Sequence, residues 1–224
     1  MRVAALYDVH GMVQALDAVL AEPDLASADT IVIGGDVAAG PFPRETLARM
    51  RALGDRALWV RGNADRELNG WAREQLGEEG AAFLRDLPGG QALGRVLFCH
   101  ATPRSDEEIL TAISPKEAWL EAFAGVDADL VVAGHTHMQL DRTVGDVRFV
   151  NAGSVGMPYE DEVAAFWTLI ASDEVEFRKT PFDIERAAAE IEASGWPGAQ
   201  EFVAENLFAA PSREEATRLF ESWR

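Results

Sequence analysis

With a single cysteine, Cys99, the chain cannot form an internal disulfide, which suits a reducing compartment. Packing on a strand is the expected role of that thiol. No apolar run approaches the ~20 residues a membrane helix needs. A charged-then-apolar leader is also missing, because Arg2 to Tyr7 already reads as a strand. These absences point to a cytoplasmic protein. Positive charge is scarce: 20 Lys and Arg against 38 Asp and Glu leave a formal charge of -18. Such a surface repels nucleic-acid backbones and anionic membranes, so neither polymeric nucleic acid nor a membrane is an expected partner. A small anion is admitted wherever a bound metal supplies local positive charge. Repeats and low-complexity stretches are absent too, while 48% apolar content is enough for a real core.

Histidine is the rarity that organises the rest. His135 and His137 follow the apolar run Asp129 to Ala133, and His10 and His100 follow Val3 to Tyr7 and Val96 to Cys99. Two more strand-like runs end in Gly35-Asp36 and Gly62-Asn63. All four histidines, with Asp8, Asp36 and Asn63, therefore fall at C-terminal ends of predicted strands, the edge where open α/β sheets build sites. Residues two apart on a strand extension point the same way, so Asp8 and His10 can grip one ion. Imidazole, carboxylate and amide oxygen without soft sulfur suit Mn, Fe, Co, Ni or Zn. Seven ligands exceed one tetrahedral zinc. They fit two divalent ions sharing a carboxylate, the arrangement that clamps an in-line phosphoryl displacement.

Along the chain, strand and helix alternate to about Asp127. The first helix puts Val13, Leu16 and Leu20 on one face, and a later one turns Leu47, Met50 and Leu53 inward. Residues 65–86 read as one or two helices interrupted near Gly77 and Gly80, and a hairpin turns at Gly94. Ser105 to Ile113 is expected to be helical. Ser114-Pro115-Lys116-Glu117 reads as a capping box opening a helix that buries Trp119, Leu120 and Phe123. Strand-like runs at 129–133, 138–144, 147–150, 163–170 and 174–178 lack intervening helices, which argues for a second, largely antiparallel sheet. Residues 1–182 are expected to form one domain. Residues 183–224 are read as a helical extension packed on it, the chain being a monomer or homodimer. Its helices are Ile184 to Ala193, Ala199 to Leu207, and one opened by the capping box Ser212-Arg213-Glu214-Glu215, with Ala216, Leu219, Phe220 and Trp223 on one stripe.

Asp8-Val9-His10, Gly35-Asp36, Gly62-Asn63-Ala64-Asp65, His100 and Gly134-His135-Thr136-His137 together resemble the five motif blocks of the calcineurin-like metallophosphoesterase superfamily, in order. The resemblance implies an α/β fold, a four-layer α/β/β/α sandwich of two mixed sheets, here with a C-terminal helical segment. Carried over by position, Asp8, His10, Asp36 and His137 hold one metal. Asp36, Asn63, His100 and His135 hold a second, with Asp36 bridging; Mn is the metal of choice for an assay. Gly40-Pro41 and Asn151-Ala152-Gly153-Ser154-Val155-Gly156 resemble a bacterial branch of small phosphodiesterases and diadenosine-tetraphosphatase-like enzymes. Ala152 departs from that branch's proline, and Met12 from its asparagine; Met12 reads as a helix-start packing residue. The resemblance implies metal-dependent hydrolysis of phosphoesters by a phosphodiesterase or phosphatase. Its expected substrate is a small phosphorylated molecule, a cyclic or dinucleoside phosphate among the nucleotides.

The departure with chemical weight is Ala64, where many members carry a histidine that contacts phosphate and protonates the leaving oxygen. Losing a positioned general acid forfeits ~10²–10⁴-fold in rate for a poor leaving group. The same fold also includes a retromer subunit lacking the full catalytic set, so a catalytically weak or inactive scaffold is the alternative. Asp65 reads equally as a helix N-cap or as a group orienting a ligand. Arg104 is the favoured phosphate contact, ahead of Arg61 and Thr102. Trp71 is a candidate for stacking on a base, and the acidic runs 106–108 and 160–162 are read as solvated faces.

Overall fold

The two faces of the first strand set the layering of the molecule. In the computed structural model, which describes residues 1–171 and 174–224, strand β1 (Arg2–Leu6) sends Ala4 and Leu6 into an apolar cluster with helices, and Val3 and Ala5, with Tyr7 just beyond, into a second cluster shared with another sheet. This is the period-two alternation of a strand buried on both sides. After β1 come α1 (Val13–Leu20), a single-turn α2 (Pro23–Ala26), β2 (Thr30–Ile33), α3 (Pro43–Arg51), β3 (Ala57–Trp59), a short α4 (Asn63–Arg66) and α5 (Gly70–Arg85). Helix α5 is broken at Gly77, whose φ of 67° and ψ of 176° are open to glycine alone. The hairpin β4 (Gly90–Leu93) and β5 (Val96–Cys99) precedes α6 (Lys116–Ala122). Then follow β6 (Leu130–Ala133), β7 (Leu140–Val144), β8 (Val147–Asn151), β9 (Ala165–Ala171) and β10 (Glu174–Thr180). The chain ends in α7 (Ile184–Ala193), α8 (Ala199–Phe202) continued by a π-helix over Val203–Phe208, and α9 (Arg213–Trp223).

The strands form two mixed five-stranded sheets, ordered β10-β9-β1-β2-β3 and β4-β5-β6-β8-β7. In the first, β1, β2 and β3 are parallel; in the second, β5, β6 and β8 are. Three apolar layers account for the architecture. One lies between the first sheet and α1, α3 and α7, one between the sheets, and one between the second sheet and α6, where Trp119 meets Phe149 and Phe123. Met12 is fully buried in the first layer, a helix-start packing residue as read from the sequence. Tyr7 ties the sheets together by donating its hydroxyl to the Val132 carbonyl at 2.8 Å.

Several expectations require correction. The strand-rich second half does not make one largely antiparallel sheet, because β9 and β10 leave it and join the first, β9 pairing antiparallel with β1. Ala165 to Ile170 is buried on both faces, which demands a central place in a sheet, and the partner lies some 160 residues away. Residues 105–113 are not helical. The Ser105 hydroxyl accepts from the Glu107 and Glu108 amides as a helix start would. Asp106 and Glu107 are then drawn to Arg66, and Glu108 to Arg104 and Thr102, so ion pairs outcompete helix propagation. Ser114 forms no capping box: its hydroxyl accepts from the Thr111 amide and donates to the Glu221 carboxylate. Leu120 is exposed rather than buried, as are Leu219 and Trp223. Helix α8 widens at Val203 into a π-helix that runs to Phe208, so the helical stretch spans the expected Ala199 to Leu207.

The C-terminal segment touches the rest of the chain in two ways. Ala187, Ala188, Ile191, Phe202, Val203 and Leu207 lie in the same apolar cluster as Leu6, Leu16 and Val19. Helix α9, opened by the expected Ser212–Glu215 capping box, is held by polar groups. Arg213 donates to the Gln139 carbonyl and pairs with Glu160, while Glu221 accepts from the Thr111 hydroxyl at 2.6 Å. Glu160 is therefore an anchor and not part of a solvated face. Among the described residues, no helix is long and apolar enough to cross a membrane.

Candidate metal centre

Parallel strands in both sheets end at one edge of the sandwich, and the turns leaving them carry the seven candidate ligands. Asp8 and His10 follow β1, Asp36 follows β2, Asn63 opens α4 after β3, His100 follows β5, and His135 and His137 follow β6. Among the described residues, the non-glycine positions with positive φ are Asp8, His10, Asp36, His135 and His137, at 47° to 69°. A left-handed backbone at a non-glycine residue is unfavourable and persists only where surroundings over-determine it. All five are candidate ligands, so the strain is confined to the site.

The side chains converge. The Nε2 atoms of His10 and His137 lie 3.2 Å apart. Asp8 Oδ1 lies 3.3 Å from His137 Nε2, 3.8 Å from His100 Nε2 and 3.9 Å from His10 Nε2. Asp36 Oδ2 lies 3.5 Å from His100 Nε2 and 3.7 Å from His10 Nε2. Asn63 Oδ1 joins at 3.1 Å from His100 Nε2. Two sets have donor atoms within 4.8 Å of one another: Asp8, His10 and His137, and Asp8, Asp36 and His100. These candidate sets share Asp8, where the family resemblance implies Asp36 as the bridge; both carboxylates reach histidines of either set. His135 stands at the rim, its ring 5.2 Å from that of His100 and its Nε2 3.2 Å from the Glu107 carbonyl.

Charge at the cluster is one-sidedly arranged for cations. Asp36 is held below the ordinary carboxylate range although burial pushes it up, because His100, His10 and the Ala64 amide outweigh burial. His100 is raised to about 10: burial lowers it, but Asp36 and Asp8 more than offset that. His135 falls to about 4 through burial, with His100 adding to the effect. A metal ligates the deprotonated imidazole, so a cation and these protons compete for the same nitrogens.

Asp8 Oδ2 accepts from the His135 amide at 2.8 Å, yet Asp8 Oδ1 is buried with no hydrogen-bond partner among the described residues. A buried carboxylate oxygen without a donor is costly, and here three imidazole nitrogens surround it. The oxygen and nitrogen donor set, its mutual spacing and this orphaned atom fit divalent cations. Cys99 takes no part: it is buried in the α6 layer, and burial pushes its thiol up to about 12.

The scaffold around the cluster adds roles for Asn151 and Ser154 and decides between the two readings of Asp65. Asn151 donates from Nδ2 to the Thr136 hydroxyl at 3.0 Å and to the Gly134 carbonyl, gripping the turn that carries His135 and His137. Ser154 donates to the Asp8 carbonyl at 2.7 Å. The Asn-Ala-Gly-Ser-Val-Gly stretch, noted earlier only as a likeness, thus clamps two ligand turns. Gly134 is required sterically, since a Cβ there would sit 2.3 Å from Asp8 Oδ2. Asp65 is fully buried and accepts three amides: Asp36 at 2.8 Å, Val37 at 2.9 Å and Gly62 at 3.0 Å. It therefore fixes the Asp36 and Asn63 turns against each other, which is more than helix capping. Burial and the Asp36 charge push it up to about 7.

Other candidates lie apart. The Arg104 guanidinium is engaged by Glu108 and Glu121 and makes no polar contact with the cluster among the described residues. Arg61 faces Asp106 at 3.9 Å, and Thr102 donates to Glu108. Trp71 is half-buried on the first turn of α5, donating to the Pro41 carbonyl.

The pattern is that of a known family, whose model, the calcineurin-like phosphoesterase superfamily domain, matches residues 1–174. The chain belongs to this family. A metallophosphoesterase from Sphaerobacter thermophilus is similar in structure, with 26% identity, 93% of this chain and 99% of that chain covered, and a TM-score of 0.78. The hypothetical protein PH1004 from Pyrococcus horikoshii OT3 shares the fold at 19% identity, 94% and 99% coverage, and a TM-score of 0.80. So does YfcE, a phosphoesterase from E. coli, at 21% identity, 82% and 100% coverage, and a TM-score of 0.54. No curated protein sequence gives a significant match. Membership of the calcineurin-like phosphoesterases supports hydrolysis of phosphoesters, with divalent metal as the cofactor class.

Proposed function

We propose that this calcineurin-like phosphoesterase is a two-metal hydrolase of small phosphodiesters or phosphoanhydrides, nucleotides being the favoured class. The observation that carries the reading is the orphaned Asp8 Oδ1 amid three imidazole nitrogens at 3.3–3.9 Å, a buried carboxylate oxygen that accepts no hydrogen bond among the described residues. Asp8, His10, Asp36 and His137 would hold one ion, and Asp36, Asn63, His100 and His135 the other, with Asp8 near enough to serve both. When bound, divalent ions activate water at neutral pH and offset charge on the phosphoryl oxygens.

The residues do the rest. Asp65, Asn151 and Ser154 hold four candidate ligand turns, those of Asp8, Asp36, Asn63 and His135, through hydrogen bonds to backbone, so the donors need little rearrangement. At position 64 the chain offers only a backbone amide, spent on Asp36 Oδ1 at 2.8 Å, and no side-chain proton for a departing alkoxide. Leaving groups that are weak bases suffer least from that lack, which favours anhydrides and activated diesters over alkyl monoesters. Ala64→His is expected to raise turnover of an alkyl monoester by roughly 10–100-fold relative to an aryl diester. A kinetic panel of the two proteins checks this, and an unchanged ratio removes the argument.

The reading itself is tested on purified protein with bis(p-nitrophenyl) phosphate. Chelation is expected to abolish hydrolysis, Mn²⁺ to restore it, and Asn63→Ala to lower the restored rate. Equal rates in Asn63→Ala and wild type would assign the activity to another site. Two tightly bound metals with no turnover of any nucleotide would favour the scaffold alternative.

A further inference from the structure

A cavity of ≈ 600 Å³ opens between α9 and the loop after β8, lined by Tyr159, Leu219, Phe220 and Trp223 among others. Its volume falls in the range of small-ligand sites. The cavity starts one ring away from the metal centre. Tyr159 stacks on His137 with centroids 5.0 Å apart and planes at 18°, Phe220 follows at 5.8 Å from Tyr159, and Trp223 at 5.5 Å from Phe220. Trp223 also borders a neighbouring cleft with Glu107, whose carbonyl faces His135. The aromatic edge of α9 therefore flanks the side of the cluster that carries both His135 and His137.

Two features say what the cavity takes. Trp223 is 62% and Leu219 47% exposed, so large apolar surface is left open beside a polar centre. The lining has no Lys or Arg but includes Glu205 and Glu215, which repel a phosphoryl group and send it toward the cations. What fits is a molecule with an anionic end and a flat, uncharged end. We infer that this cavity is the subsite for an aromatic ring system of the substrate, such as a nucleobase, with Trp223 as its stacking surface. The inference rests on the phosphoesterase reading of the adjacent cluster.

The test is calorimetric binding to the Mn²⁺-loaded protein of the non-hydrolysable 5′-phosphonates of adenosine and of ribose, which differ only by the base. Wild type is expected to bind the adenosine compound at least about tenfold more tightly, the usual scale of base stacking on an aromatic side chain. Trp223→Ala is expected to reduce that preference to about threefold or less, and Trp223→Phe to keep most of it. Trp223 is largely exposed, so the variants are expected to fold. A preference that survives in Trp223→Ala, or none in wild type, overturns the inference. Tighter binding of octylphosphonate than of the adenosine compound also overturns it, by making the subsite aliphatic. Failure of the underlying reading shows differently: ribose phosphonate binding would then be indifferent to Asn63→Ala, whatever the base preference.

Discussion

Asp8→Asn is expected to abolish both Mn²⁺-dependent stabilisation and hydrolysis while leaving the fold intact. Asp8 is the carboxylate common to both candidate donor sets, so its loss is expected to weaken the site on both sides at once. An amide of the same shape can still accept from the His135 amide through one oxygen, which preserves the turn. The group facing the three imidazoles would lose its charge or become an NH₂ donor, and neither substitutes for a carboxylate ligand. In wild type, Mn²⁺ at about 100 times its Kd adds about 2.7 kcal/mol. For a domain of this size that is a Tm rise of about 5–10 °C. The variant is expected to show almost none of that rise and a loss of ~10³-fold or more in kcat/KM, as befits removal of the cations that offset transition-state charge. Thermal scans with and without Mn²⁺, paired with diesterase assays, check both parts. An equal metal-dependent Tm rise in the two proteins would remove Asp8 from the site.

Asp65→Ala is the second large effect, and it acts on stability first. Three buried amides, those of Asp36, Val37 and Gly62, end on this one carboxylate. Each left without an acceptor costs about 1–3 kcal/mol, so a loss of roughly 3 kcal/mol or more is expected. A residue serving only as a helix cap would cost about 1 kcal/mol on removal. Urea denaturation distinguishes these outcomes, and a loss near 1 kcal/mol would reduce Asp65 to a cap. Activity is expected to fall as well, since the Asp36 and Asn63 turns would no longer be tied together. Asp65→Asn cannot rescue fully, because its NH₂ group would face amide donors where the second carboxylate oxygen had accepted.

The legible part of this protein was local. Strand runs followed by Asp, Asn or His turns are contiguous patterns, and Val96–Cys99 and Ile184–Ala193 match their expected bounds because apolar runs, caps and breakers lie within or beside the elements themselves. The candidate ligands were readable for the same reason: each residue sits within a few positions of a strand end. The break at Gly77 was equally visible. Residues 105–113 misled, since the local signal for a helix start is genuine at Ser105 but is overruled by arginines at 66 and 104. The Ser114 hydroxyl was likewise drawn away by Glu221, more than a hundred residues on.

The amino-acid sequence by itself determined most element types, the seven candidate ligand positions, the acidic composition and the alanine at position 64, because these depend on composition and short spacing. Tertiary structure alone decided which sheet β9 and β10 join, that Asp8 is common to both candidate donor sets, that Asp65 and Asn151 hold the turns carrying them, and that α9 lays Phe220 beside Tyr159. Each of these is a contact between segments far apart in the chain. Its existence depends on which buried surfaces and unpaired polar groups remain to be satisfied once the two sheets have packed.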